Sequence, residues 1–151
     1  MRAHPACLED DTVAVVTREL SLKTKGNTDI LDITPSVREE VKESGVKDGV
    51  AVVFVPGSTA GVTTIEYESG VLQDLSDAVE RMAPRSIRYH HDARWGDGNG
   101  FAHVRAALLG PSLTIPFSDG RLLLGTWQQI VLIDFDNRPR QRTILIQILG
   151  E

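Results

Sequence analysis

Residues 113–149, LTIPFSDGRLLLGTWQQIVLIDFDNRPRQRTILIQIL, decide the fold. Four runs rich in apolar and β-branched residues, 113–117, 121–125, 129–135 and 141–149, are separated by Ser118-Asp119-Gly120, the Gly125-Thr126-Trp127-Gln128 segment and Asp136-Asn137-Arg138-Pro139-Arg140. Parallel neighbours need a crossover of about a dozen residues or more, and these turn-type joints are too short for one. The sheet is therefore expected to be mainly antiparallel. Ile130 and Leu132 alternate with Val131, Ile133 and Phe135, while Ile144, Ile146 and Ile148 alternate with Leu145 and Leu149. Strands that are apolar on both faces need cover on both. Either another subunit supplies part of that cover, or the sheet curls into a barrel around its own core.

Immediately upstream, residues 99–109 read as a helix with Asn99 as N-cap and Gly110-Pro111 as its stop. Helical spacing puts Phe101, Val104 and Leu108 on one bulky stripe, expected to face the core, and Asn99, His103, Ala106, Ala107 and Gly110 on the other face. Farther back, residues 69–83 form an amphipathic pattern with Val71, Leu75, Val79 and Met82, ended by Pro84. Residues 49–55 and 62–67 read as strands, and a surface helix capped by Thr34 starts at Pro35, carries Val37 and Val41, and stops at Gly45. Residues 12–23 alternate as a strand, with 28–33 expected to pair with it as a hairpin across Lys25-Gly26-Asn27. The expected class is α+β, a mainly antiparallel sheet or barrel-like β core with about three helices. One domain over residues 12–151 would follow a mobile N-terminus, residues 1–11.

A chain of 151 residues with 41% hydrophobic and 25% charged residues has ordinary globular composition, which argues against disorder or a fibrous fold. The formal charge of −5 offers no general attraction to nucleic acid or to acidic membranes. A single cysteine, Cys7, excludes an intramolecular disulfide and a multi-cysteine zinc ribbon. Residues 1–11 have no apolar h-region, and no run approaches the ~20 apolar residues of a membrane span, so the expected location is the cytoplasm.

Three of the four histidines, His90, His91 and His103, fall within YHHDARWGDGNGFAHVR, residues 89–105. His91, Asp92, Asp97 and His103 offer nitrogen and oxygen donors suited to Zn²⁺ or Mg²⁺, with glycines 96, 98 and 100 letting the backbone turn around a ligand. The spacing matches no standard zinc motif. The alternative is a structural loop whose carboxylates are stabilised by the N-terminus of the following helix. His103, on a face of small residues, is the best single functional candidate, set against an ordinary surface or interface histidine. The segment 56–61, PGSTAG, supplies the Ser58 and Thr59 hydroxyls and flexible N–H groups able to wrap an anion, or it is only a turn. Glu66 is a candidate acid, base or ligand if it is not on a solvated face. Arg138, Arg140 and Arg142 stand near Asp134 and Asp136, ready either to grip a phosphate or to bridge to those aspartates. Walker, dinucleotide and nucleophile-elbow motifs are absent from the sequence.

VPGSTAGVTTIEYE (55–68), the stretch from 89 to 113, DGRLLLGTWQQIVLIDFDNRPRQR (119–142) and the closing Gly150-Glu151 together resemble the YjbQ-like family, small proteins known as secondary thiamine-phosphate synthases. The resemblance implies a trimer-forming α+β domain, a pocket near subunit contacts and a metal site using histidine. The implied transferase joins a pyrimidine methyl pyrophosphate to a thiazole phosphate and releases pyrophosphate. On that reading Asp97, Asp92 and His91 serve a divalent metal, and His103 serves metal or proton transfer, with Glu66 as a further catalytic candidate. Ser58, Thr59, Asn99, Thr126 and Trp127 would contact substrate, and Arg105 or Arg140 its phosphate. Implied partners are other copies of the chain and a phosphorylated small molecule, without nucleic acid or membrane. Two departures stand out: Gly57 and Phe101 occupy positions where many members, or a closer subgroup, have histidine. They leave open a second function, a non-catalytic trimeric metal- or anion-binding protein.

Overall fold

The computed structural model describes residues 12–151, so the expectations for residues 1–11 and Cys7 lie outside the described residues. The elements run β1 (Ala14–Thr24), β2 (Asp29–Asp32), α1 (Thr34–Ser44), β3 (Gly49–Phe54), β4 (Ala60–Ile65), α2 (Ser69–Met82), α3 (His90–Trp95), α4 (Gly100–Leu109), β5 (Ser112–Ser118), β6 (Arg121–Leu122), β7 (Gln129–Asp134) and β8 (Arg140–Gly150). Every strand pair is antiparallel, in a five-stranded sheet ordered β1-β8-β3-β5-β6 and a three-stranded sheet ordered β2-β7-β4. The α+β class holds, with four helices among the described residues rather than about three.

The period-2 alternation of β7 explains how the layers stack. Ile130 and Leu132 enter one core with Ile144, Ile146 and Ile148 of β8, Ala51 and Val53 of β3, and Val37 and Val41 of α1. Val131, Ile133 and Phe135 point the other way, into a second core with Phe101, Ala102 and Ala106 of α4, against which Leu75 and Val79 of α2 pack. Thus β7 is buried on both faces within a single chain. Each such fully buried aliphatic side chain stabilises the fold by roughly 2 kcal/mol relative to exposure. The inner face of β8 is equally dry, but its outward Leu145 and Leu149 remain half-buried.

Four expectations are corrected. β1 and β2 are not a hairpin: β1 pairs along its whole length with β8, and β2 pairs with β7. Three successive residues with positive φ, Gly26 (72°), Asn27 (55°) and Thr28 (65°), turn the chain out of one sheet and into the other. That turn is held by Asn27 N–H donating to the Asp136 carbonyl at 2.6 Å. It also needs glycine, since a Cβ at Gly26 would meet the Arg138 carbonyl oxygen at 2.5 Å. Downstream, only β5 and β6 form a hairpin; the later joints carry the chain between sheets.

Thr34 is not a cap but the first residue of α1. Its N–H donates to Asp32 Oδ1 at 2.9 Å, and its Oγ1 accepts from Ile130 N–H at 2.8 Å. Finally, α4 presents a different face from the one expected. Phe101 is buried, but Val104 and Leu108 are 40% and 59% exposed, whereas Ala102, Arg105 and Ala106 face inward. The reason is close approach: a Cβ at Gly61 of β4 would lie 2.7 Å from the Gly110 carbonyl oxygen. Backbones that near admit only small side chains between them.

Candidate functional site

The segment 89–105 folds as two helices rather than a loop and one helix. Gly96, with φ 68°, closes α3 in the left-handed conformation and turns the chain back toward α4. Asp92, in α3, accepts the Gly100 N–H at 2.8 Å and so fixes the start of α4, as a carboxylate near a helix N-terminus is expected to do. Asp97 accepts the Asn99 N–H at 3.3 Å. Asn99 makes no side-chain cap; 5% exposed, it accepts the Asn137 N–H at 3.0 Å and ties the helix to the loop after β7.

Within this frame His91 Nδ1 lies 3.5 Å from Asp92 Oδ1 and 3.3 Å from Asp97 Oδ1. Both distances suit an ion pair, yet neither meets hydrogen-bond geometry, and the buried Nδ1 has no hydrogen-bond partner among the described residues. One ligand atom from each of His91, Asp92 and Asp97 falls within 4.8 Å of the others. A buried polar atom without a partner is rare and calls for an explanation. A cation between a neutral imidazole nitrogen and two carboxylates would supply it, and that donor set suits Zn²⁺ and, less selectively, Mg²⁺. The residues present therefore fit a divalent metal. His103 stands next to them, its ring centroid 4.3 Å from that of His91.

His103, Ala106 and Ala107 of α4 form one wall of a cavity of about 220 Å³, with Gly57, Ser58 and Ala60 opposite and Pro111 at one end. Under the segment 57–60 lies a buried charge network. Asp134 and Asp136 are both 0% exposed. Arg142 donates from Nε to Asp134 Oδ2 and from Nη2 to Asp134 Oδ1, both at 2.8 Å, and from Nη2 to Thr59 Oγ1 at 2.6 Å. Thr59 in turn donates to Asp136 Oδ2 at 2.9 Å, and Arg140 Nε donates to the same oxygen at 2.9 Å. Hydrogen bonding to Asp134 raises the Arg142 pKa against the opposing effect of burial. Burial pushes the Asp136 carboxyl up, but hydrogen bonds from Thr59 and Arg140, the Arg140 charge and Asn99 together hold it below the ordinary carboxylate range.

The sequence-derived candidates thus divide. His91, Asp92, Asp97 and His103 come together, with Ser58 across the cavity from His103 and Thr59 beneath it. Arg140 is committed to Asp136. Arg105, 3% exposed, is committed elsewhere: it donates to the Ala83 carbonyl at 3.0 and 2.8 Å, to Thr28 Oγ1 at 3.1 Å and to Glu80. Glu66, Thr126 and Trp127 are exposed at the other end of β4, where Gln128 Nε2 donates to Thr64 Oγ1 at 3.0 Å. Five residue steps of extended strand separate that end from Ala60, about 16 Å. In one chain these three residues do not meet the His103 cavity. One feature escaped sequence reasoning, and a second was anticipated only as an Arg–Asp bridge. The His91–His103 contact requires α3 to be a helix. The hub role of Arg142 was signalled only by the matched spacing of Asp134 and Asp136 with Arg140 and Arg142.

The chain matches the family described as UPF0047 protein YjbQ-like over residues 18–151. A UPF0047 protein of Archaeoglobus fulgidus is 38% identical over 131 residues, spanning 87% of this chain and 99% of the relative. The crystal structure of a YbjQ-like protein of unknown function from Sulfolobus solfataricus P2 aligns with a TM-score of 0.87 at 32% identity, covering 93% of this chain and 100% of the other. An uncharacterised YjbQ/UPF0047 protein from Clostridium acetobutylicum aligns with a TM-score of 0.80 at 40% identity, covering 87% and 98%.

Proposed function

The chain belongs to the UPF0047 YjbQ-like family, and from that premise we propose that it is a metal-assisted transferase of the thiamine-phosphate synthase type, acting on phosphorylated small molecules. One observation carries the reading: the buried, unpartnered His91 Nδ1, 3.3 and 3.5 Å from two carboxylates, beside the His103 that walls the cavity. His91, Asp92 and Asp97 would hold the ion, with His103 as a further ligand or as the proton carrier. A bound divalent ion supplies charge neutralisation to a departing pyrophosphate. His103 presents an imidazole to the cavity, where it can serve as a proton carrier. Ser58 offers a hydroxyl from the opposite wall, and Ala106 and Ala107 keep the space between them open.

The same reading includes a homotrimer. The cavity of about 220 Å³ is small for two ring-bearing substrates, since ligand pockets typically begin near ~300 Å³. A neighbouring subunit would complete it. The outward face of the five-stranded sheet supports such an assembly: Val15, 61% exposed, and Val50 flank Leu149 in register, and Phe54, 36% exposed, pairs with Leu145. A second reading, a non-catalytic trimeric metal- or anion-binding protein, is favoured by Phe101. That side chain is packed in the core with the Arg105 and Arg85 guanidinium carbons 4.9 and 5.4 Å from its ring centroid, so position 101 contributes no ligand.

Purified protein assayed with the pyrimidine pyrophosphate, the thiazole phosphate and Mg²⁺ or Zn²⁺, alongside elemental analysis, separates the two. Turnover with a stoichiometric metal is expected; His103→Ala should lose roughly 100-fold or more in rate, and Asp97→Asn should lose bound metal. Metal without turnover selects the binding protein. Finding neither metal nor turnover removes the transferase and the metal-binding protein and leaves only the anion-binding one.

A further inference from the structure

The two arginines expected to hold phosphate are engaged elsewhere, Arg105 by Glu80 and the Ala83 carbonyl and Arg140 by Asp136. Arg142 differs. Its Nε and Nη2 are engaged by Asp134 and Thr59, while Nη1 makes no hydrogen bond among the described residues. The side chain is 11% exposed and stands behind the wall that Gly57 and Ser58 give the His103 cavity. Gly57 stands directly against it: a Cβ there would sit 3.2 Å from Nη1. The Gly57 and Ser58 N–H groups also have no backbone hydrogen-bond partner among the described residues.

We propose that Gly57, Ser58 and Arg142 form an oxyanion subsite that takes the phosphoryl group of a small ligand whose body extends toward His103. The proposal deepens the phosphorylated-substrate reading and rests on it for the nature of the ligand. The charge of Arg142 is largely offset by Asp134 and by Asp136, 3.7 Å away. Affinity then comes from directed donors rather than net attraction: the free guanidinium N–H, two main-chain N–H groups and the Ser58 hydroxyl. Because Asp134 and Thr59 already fix the guanidinium, little side-chain freedom is lost when an anion arrives. Gly57 is then a window residue, and any larger residue there would screen the arginine.

The test is a titration of inorganic phosphate into the full chain in EDTA, followed by calorimetry or ³¹P line broadening. Saturable binding is expected in the wild type. Gly57→Ala and Ser58→Ala should each weaken it about tenfold, the worth of one charge-assisted hydrogen bond, with thermal unfolding still cooperative. Arg142→Lys should lose at least as much if it folds; where it does not, Ser58→Ala decides, because a side chain at Gly57, whose φ is 157°, also strains the backbone. No saturable binding in the wild type, or unchanged affinity in Gly57→Ala, overturns the subsite. Phosphate bound only after Mg²⁺ or Zn²⁺ is added also overturns it, while leaving the metal reading standing. Phosphate bound in EDTA by a protein without turnover keeps the subsite and removes the transferase.

Discussion

Asp136 shows what single residues contribute beneath the cavity. It is fully buried and still ionised more readily than a free carboxyl, because Thr59, Arg140 and Asn99 outweigh the effect of burial. Its folded pKa lies below the unfolded value of about 3.9. The unfolded chain therefore takes up the proton first as pH falls. The stability that ionised Asp136 contributes is fully present above that value and is lost as pH drops through the folded pKa. Asp136→Asn is expected to flatten the acid limb of stability against pH. It should also cost about 2 kcal/mol at neutral pH, because Arg140 and Thr59 lose a charged acceptor. Urea unfolding across a pH series checks this, and an unchanged acid slope would refute it. At this scale the sequence was informative about residue type. Donors suited to a metal were visible in 89–105, whereas the commitment of Arg105 to Glu80, and the unengaged nitrogen of Arg142, depend on neighbours remote in sequence.

Elements obeyed local signals where the backbone alone decides and departed from them where packing does. Gly45 closes α1 in the left-handed conformation, as its position implies. Residues 28–33 contain a true strand, yet a turn signal does not say which strand will be its partner. β8 offered β1 eleven paired residues, and β7 took β2. The face of α4 was misjudged because helical spacing ranks side chains by bulk, and the contact with β4 selects for smallness. Gly61→Ala tests that contact. The added methyl would meet the Gly110 carbonyl oxygen at 2.7 Å and Leu109 Cδ2 at 2.8 Å. A destabilisation of about 1–3 kcal/mol from overpacking is expected in a thermal or denaturant melt, together with disturbance of the cavity wall that α4 carries.

On the scale of the molecule, the three-stranded sheet is a middle layer, covered on one side by the five-stranded sheet and α1 and on the other by α2 and α4. The requirement that both faces of β7 be covered is met inside one chain. The outward face of the five-stranded sheet is not, and the proposed trimer would cover it. Light scattering should then give a mass three times the 16.5 kDa of one chain. Val15→Glu and Phe54→Glu should shift it toward a single chain with the monomer fold retained, since both side chains are solvent-exposed within one chain. A wild-type mass of one chain would remove the assembly. Among the described residues no helix is long and apolar enough to cross a membrane.

From 113–149 alone came the antiparallel character of the sheet and the demand for two covered faces, because alternation and joint length are local properties of the chain. The same holds for the histidine and aspartate donors of 89–105. Only the tertiary structure decided which strands share a sheet, which face of α4 turns inward, that His91 lies against His103, and that Arg142 rather than Arg105 stands beside Gly57. Those outcomes depend on competition among contacts between residues far apart in sequence, where an interface can reward a small side chain or fix a charge that no local pattern marks.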